Sequence, residues 1–101
     1  MDITASYSEQ GKVLMISVGE RFDFSKVEEF HHAYQSLPED AEYIAVDLSR
    51  TEYMDSSALG MLLNMQKKLS DKAITYSIVN PRPQVAKILK ISRFDKKFEI
   101  Q

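Results

Sequence analysis

At 101 residues the chain is the length of one ordinary domain, so a single core is expected over residues 1–101 and a second catalytic or regulatory domain has no room. Hydrophobic residues make up 44% and charged residues 28%, with three Gly and three Pro, which excludes a disordered or fibrous chain. The absence of Cys removes disulfides, thiol nucleophiles and sulfur-based zinc sites, and the net charge of -2 by itself argues neither for nor against nucleic acid.

That charge is unevenly spread. Residues 1–55 carry twelve acids and four bases, whereas residues 56–101 carry nine bases and three acids. The pattern reads first as ordinary solvated faces and second as a polarised surface for a protein partner. No apolar run approaches the ~20 residues of a membrane span. The opening Met1-Asp2-Ile3-Thr4 lacks a basic stretch followed by an apolar run, so a cytoplasmic location is expected.

In chain order, Ile3–Ser8 and Lys12–Val18 read as two strands of a hairpin linked by Glu9-Gln10-Gly11. Ile3, Ala5 and Tyr7 alternate with polar neighbours, as on an edge strand, while the continuous Val13-Leu14-Met15-Ile16 predicts a strand buried on both faces. Ser25-Lys26-Val27-Glu28 has the form of a capping box, and Val27, Phe30, Tyr34 and Leu37 recur at helical spacing up to Pro38. Tyr43–Leu48 predicts a third, buried strand, and Ser49–Asp55 leads into a second helix over about Ser56–Leu69. On that helix Ala58, Met61, Leu62, Met65 and Leu69 share one face, with Lys67 and Lys68 outside it. Ile74–Val79 is a fourth strand. Asn80-Pro81-Arg82-Pro83 turns into a third helix through Val85, Ile88 and Leu89 to about Ser92, and Phe98-Glu99-Ile100 is a short terminal strand.

Strands alternating with helices after a hairpin predict an α/β domain with a mixed sheet. Right-handed crossovers then start each helix at the carboxyl edge of the preceding strand, which directs attention to the segment Asp47–Ser57.

Most site chemistries find no support. The three glycines, Gly11, Gly19 and Gly60, are too far apart for a phosphate-binding loop. His31 and His32 are adjacent and point about 100° apart on a helix, so they do not grip one metal as an i, i+4 pair does. No GxSxG elbow accompanies any Ser, and the histidines lie on a different helix from Ser56. The basic series Lys87, Lys90, Arg93, Lys96 and Lys97 has no aromatic platform beside it, so direct nucleic-acid binding is not expected.

There remains Asp55-Ser56-Ser57-Ala58-Leu59-Gly60 at a strand-to-helix junction. Alone it is an N-cap. Together with the strand Ile44–Leu48, the segment Tyr53–Gly60 resembles the signature of the STAS family, the anti-sigma factor antagonists. The resemblance extends over essentially the whole chain: Gly19-Glu20-Arg21-Phe22-Asp23 is similar to the family's Gly-Glu-Leu-Asp-like segment. Val79-Asn80, Pro83, Val85, Ile88-Leu89, Ile91 and Phe94–Ile100 are similar to its closing helix and last strand. Two positions depart: Ala58 stands where many members carry Gly, and Arg93-Phe94 where Gly-Leu is common.

The resemblance implies a STAS-like single domain, a mixed sheet of about four to five strands with three or four α-helices. It implies a switch protein with no catalysis or cofactor of its own. Ser56, directly after Asp55, is then the residue phosphorylated by a partner serine kinase, itself the anti-sigma factor or a relative of it, and a serine phosphatase reverses the modification. The unphosphorylated form binds; the phosphorylated form lets go. Ser57 is read as a capping or packing hydroxyl. The phosphate is expected to meet free amides and the positive end of the second helix. The interface is expected to take in Asp55, Ser57, Ala58, Leu59 and Gly60 together with Asn64, Lys67 and Lys68. The alternatives are an accessory STAS subunit of a lipid-transport ATPase and, last, a small hydrolase using Ser56, for which no base is in evidence.

Overall fold

The computed structural model describes residues 2–8 and 10–101. The sequence readings at Met1 and Glu9 fall outside the described residues. Strands β1 (Ile3–Tyr7) and β2 (Val13–Val18) form the expected antiparallel hairpin, and Gly11 turns the link at φ +69°, a backbone conformation that favours glycine. There follow β3 (Arg21–Phe22), a 3-10 turn (Phe24–Lys26), α1 (Val27–Gln35), β4 (Tyr43–Asp47), β5 (Tyr53–Met54) and α2 (Ser56–Lys68). The chain closes with β6 (Thr75–Val79), α3 (Pro83–Ile91), a second 3-10 turn (Phe94–Lys96) and β7 (Glu99–Ile100).

The main sheet has the order β1-β2-β4-β6-β7, parallel throughout except at the β1–β2 edge. It is the mixed α/β sheet of five strands with three α-helices that the sequence leads one to expect. From β2 onward each new strand is added on the same side of the last. With right-handed crossovers, that monotonic order places every connecting helix over one face of the sheet. The core agrees: Leu14, Ile16, Val18, Ile44, Val46 and Ile78 from one sheet face pack with Phe30 and Tyr34 of α1, Ala58, Met61, Leu62, Met65 and Leu69 on or just after α2, and Val85 and Leu89 of α3.

This one-sided layering corrects the reading of β2 as buried on both faces. Leu14, Ile16 and Val18 are sealed, whereas Val13, Met15 and Ser17 are only half-buried because no helix covers them. The capping box at Ser25 is also corrected. Asp23 is the cap, accepting from the Ser25 amide at 3.0 Å and the Ser25 hydroxyl at 2.6 Å, so Ser25 is a donor in the motif. The helix itself starts at Val27 behind a 3-10 turn, with Lys26 at its N-cap and no side-chain cap there. Val27 is 42% exposed and takes no part in the core stripe.

Helix α3 ends at Ser92, and Arg93 follows at φ 60°, ψ 32°, donating its amide to the Lys90 carbonyl at 3.0 Å. This left-handed position just after a helix is one that Gly ordinarily fills, because a Cβ there is crowded by the neighbouring carbonyl. Arg93→Gly should therefore stabilise the chain by about 0.5–1 kcal/mol, raising the thermal midpoint by roughly 2–6 °C. A midpoint that falls instead would show that the Arg93 side chain has contacts worth more than the strain.

Candidate functional site

The site lies at the carboxyl edge of β2 and β4, where the chain leaves the main sheet and makes a second, two-stranded one. The Thr51 hydroxyl, fully buried, donates between the Gly19 carbonyl at 2.9 Å and the Val18 carbonyl at 3.3 Å. Just beyond it the Glu52 and Tyr53 amides both donate to the Glu20 carbonyl, at 2.8 and 3.1 Å. Gly19 is also tight against the residue before β1: a Cβ there would lie 3.0 Å from the Asp2 carbonyl oxygen. The outcome is β3 paired parallel to β5, with Arg21 opposite Tyr53 and Phe22 opposite Met54.

Carried forward along that register, the two strands end in the same motif. Asp23 caps the turn before α1 through Ser25. Asp55 caps α2 by accepting from the Ser57 amide at 3.0 Å and the Ser57 hydroxyl at 2.5 Å. Two Asp-x-Ser starts thus stand side by side, and their middle residues, Phe24 and Ser56, are both exposed, Phe24 to 76%. Arg21 joins them. Its guanidinium is stacked 4.3 Å over the Tyr53 ring, and its Nε donates to Asp23 Oδ2 at 3.2 Å. The Tyr53 hydroxyl in turn donates to Asp55 Oδ2 at 3.4 Å. Hydrogen bonding from Ser57 first, then from backbone amides and Tyr53, holds the Asp55 carboxyl below its ordinary titration range despite some desolvation.

This geometry separates the two serines. The half-buried Ser57 has its hydroxyl committed to the cap. The Ser56 hydroxyl is exposed and has no part in the cap's hydrogen bonds. It also narrows the expectation that a phosphate on Ser56 meets free amides. The Ser57 amide is held by the Asp55 carboxylate, and the Ala58 amide donates to the Asp55 carbonyl at 3.1 Å. The macrodipole remains, but those two donors are occupied.

Along α2, Ser56, Gly60, Leu63 and Lys67 follow one exposed stripe at spacings of four, three and four residues. Gly60 leaves that stripe flat, since a Cβ added there would meet nothing within 4 Å. Ala58 is buried and Leu59 half-buried, both serving the core, so of the motif only Asp55, Ser56, Ser57 and Gly60 shape the edge. Asn64 and Lys68 are exposed but turned toward α1. With Val27, Phe30, His31, Tyr34 and Met61 they line a shallow cavity of about 100 Å³ between the helices. Asn64 and Lys67 lie ~12 and ~16 Å from Ser56 along the helix axis, so Lys67 marks the far end of the stripe.

His31 faces the α1–α2 cavity near Asn64, away from the start of α2. Among the described residues no group of three or more His, Asp or Glu is placed to hold a metal ion, and no helix is long and apolar enough to cross a membrane. Of the salt bridges formed among the described residues, only Lys72–Glu39, at 3.4 Å, joins the acidic and basic parts of the chain. Thr51, Arg21 and Phe24 belong to the site without having been singled out for it in the sequence. For Phe24 the signal is the repeated Asp-x-Ser; for Arg21 and Thr51 none exists.

Comparison with known proteins agrees with this fold. The family described as Mlab, STAS domain, matches residues 5–100. A STAS-domain containing protein of Pseudomonas aeruginosa strain UCBPP-PA14 is 40% identical over 100 residues, covering 99% of both chains. Among solved structures, an anti-sigma-factor antagonist (STAS) domain protein from Planctomyces limnophilus superposes with a TM-score of 0.80 at 19% identity, over 99% of this chain and 88% of that one. The Bacillus cell fate determinant SpoIIAA in its phosphorylated form gives 0.68 at 20% identity, over 98% and 90%. At those identities the two structures speak for the fold.

The cap makes a prediction about pH. Because Asp55 is held below its ordinary value of 3.8 in the folded chain, its charge contributes stability that is complete above that value and lost as pH falls through the folded-state titration. Asp55→Asn, which keeps an acceptor but no charge, should melt below the parent at neutral pH. The gap should close in acid below pH 3.8. A gap unchanged down to about pH 2 contradicts the charge-assisted cap.

Proposed function

This chain belongs to the STAS family, and from that premise we propose that it is an anti-sigma factor antagonist working as a phosphorylation-controlled binding switch. In this reading it has no catalysis of its own. Its unphosphorylated form binds an anti-sigma factor or switch kinase, the kinase phosphorylates Ser56, and a serine phosphatase restores the binding form in the cytoplasm. The observation that carries the reading is the division of labour at the start of α2: the Ser57 hydroxyl is consumed by the cap, while Ser56 offers a free, exposed hydroxyl beside the exposed ring of Phe24.

The physical argument follows from that placement. Phe24, Gly60 and Leu63 are exposed uncharged residues of the same edge as Ser56, on which a protein partner can close between the acidic caps. A phosphate brings about -1.5 to -2 charge and three acceptor oxygens to the same edge, next to Asp55 and Asp23. Under a bound partner that charge must be desolvated or must face the partner's own surface. A loss of about 3 kcal/mol is already a ~100-fold fall in affinity.

A second reading, the accessory STAS subunit of a lipid-transport ATPase, is retained because the matching family is described as Mlab. Recovery of the chain from its host with an ATPase, and not with a serine kinase, decides for it.

The test of the main reading is a set of three variants assayed with the host's partner kinase. Ser56→Ala should keep partner binding and accept no phosphate, and Ser56→Asp should weaken binding only partly, because one carboxylate carries less charge than a phosphate. Ser57→Ala should lose stability with its cap bond yet still be phosphorylated. Phosphate found on Ser57 and absent from Ser56 would overturn the assignment.

A further inference from the structure

If Ser56 is the phosphorylated residue, two of the amides that ordinarily receive a phosphate at a helix start, those of Ser57 and Ala58, are already in use. The immediate neighbourhood is also acidic, with Asp23 and Asp55 at the two caps and Glu20 and Glu52 beside them in the chain. A dianion there calls for a cation, and few are at hand. Lys26 is held by Asp2 at 2.7 Å. Lys67 is ~16 Å away along α2. Arg82 donates to the Ser49 carbonyl at 3.0 Å, and Arg50 precedes the Thr51 anchor, six residues from Ser56. Arg21 is the base that the β3–β5 ladder aligns with the segment leading into Ser56, with 58% of its side chain exposed.

The geometry points to Arg21 as the group that binds the phosphate of Ser56. This inference rests on the phosphorylation reading above. Arg21 is in register with Tyr53, three residues before Ser56, a stretch of at most ~11 Å. Its guanidinium lies over the ring of Tyr53, whose hydroxyl donates to Asp55, the residue directly before Ser56. Moving Arg21 away from Asp23 releases only Oδ2; Oδ1 keeps its bonds from the Ser25 amide and hydroxyl, so the cap itself is retained. A guanidinium pairs with a phosphate through two parallel N–H bonds, a better match than its single Nε contact with Asp23. Arg21 is thus a phosphate-binding residue, and the β3–β5 pairing is the device that delivers it to Ser56.

The experiment needs no kinase. Phosphoserine is placed at position 56 during synthesis of the full chain, and the second ionisation of the phosphate is followed by phosphorus NMR in the parent, Arg21→Gln, Arg21→Lys and Lys67→Gln backgrounds. The parent phosphate should titrate about half a pH unit or more below that of Arg21→Gln, because a neighbouring cation favours the dianion. Arg21→Lys should restore part of the difference, and Lys67→Gln should match the parent. In the parent alone, the Arg21 Nε resonance should shift with the same midpoint as the phosphate, a readout that holds even if Arg21→Gln folds poorly. Equal midpoints in parent and Arg21→Gln, or an Arg21 Nε resonance indifferent to the phosphate titration, would overturn the inference. Failure of the kinase to modify Ser56 would overturn the phosphorylation reading instead, and the two results are obtained separately.

Discussion

One buried hydroxyl holds the functional edge in place. Thr51 donates to the carbonyls that end β2, and through it the loop after β4 is fastened to the loop after β2. A buried hydroxyl or carbonyl left unpaired costs about 1–3 kcal/mol, so the loop has a strong reason to take this one path. From that fastening follow the short β3–β5 ladder, the alignment of Arg21 with Tyr53, and the pair of Asp-x-Ser starts with Phe24 and Ser56 at their centres. The residue that gives the site its chemistry and the residue that gives it its place are different ones.

The larger frame comes from the order of the strands. With every crossover on one side, α1, α2 and α3 share a single sheet face, and the starts of α1 and α2 come out together beyond the ends of β2 and β4. A single-layer arrangement leaves the opposite sheet face open, with Val13, Met15, Tyr43 and Val79 half-buried on it. It also concentrates the free helix ends at one edge of the domain. The candidate site lies at that edge, from which the core takes Phe22, Met54 and Ala58.

Long periodic elements were legible in the sequence. The stripe Ala58, Met61, Leu62, Met65 and Leu69 identified α2 and its buried face, and the alternation in Ile3–Tyr7 identified an edge strand. The two-residue strands β3 and β5 were not legible, since two residues show no period and their partners are about thirty residues apart. The cap at Asp55 was readable because it precedes an apolar run directly. That at Asp23 was hidden by Ser25 and Glu28, which imitate a capping box one turn later. Family resemblance supplied Ser56, and the structure supplies a physical reason to prefer it over Ser57. No pattern announces a single Thr in a polar loop as a buried anchor, and none places Arg21 over Tyr53.

The central claim is that phosphate on Ser56 alters a surface and leaves the fold intact. The helix start favours the added charge by about 0.3–1 kcal/mol when exposed, and repulsion from Asp55 opposes it at a similar scale. Both are small against a total stability of about 5–15 kcal/mol. Thermal unfolding of the Ser56-phosphorylated chain beside the unmodified one tests this most directly: the account predicts midpoints within a few degrees of each other. A large fall in the phosphorylated midpoint would mean that the phosphate breaks the start of α2, and a switch by local surface change would be contradicted.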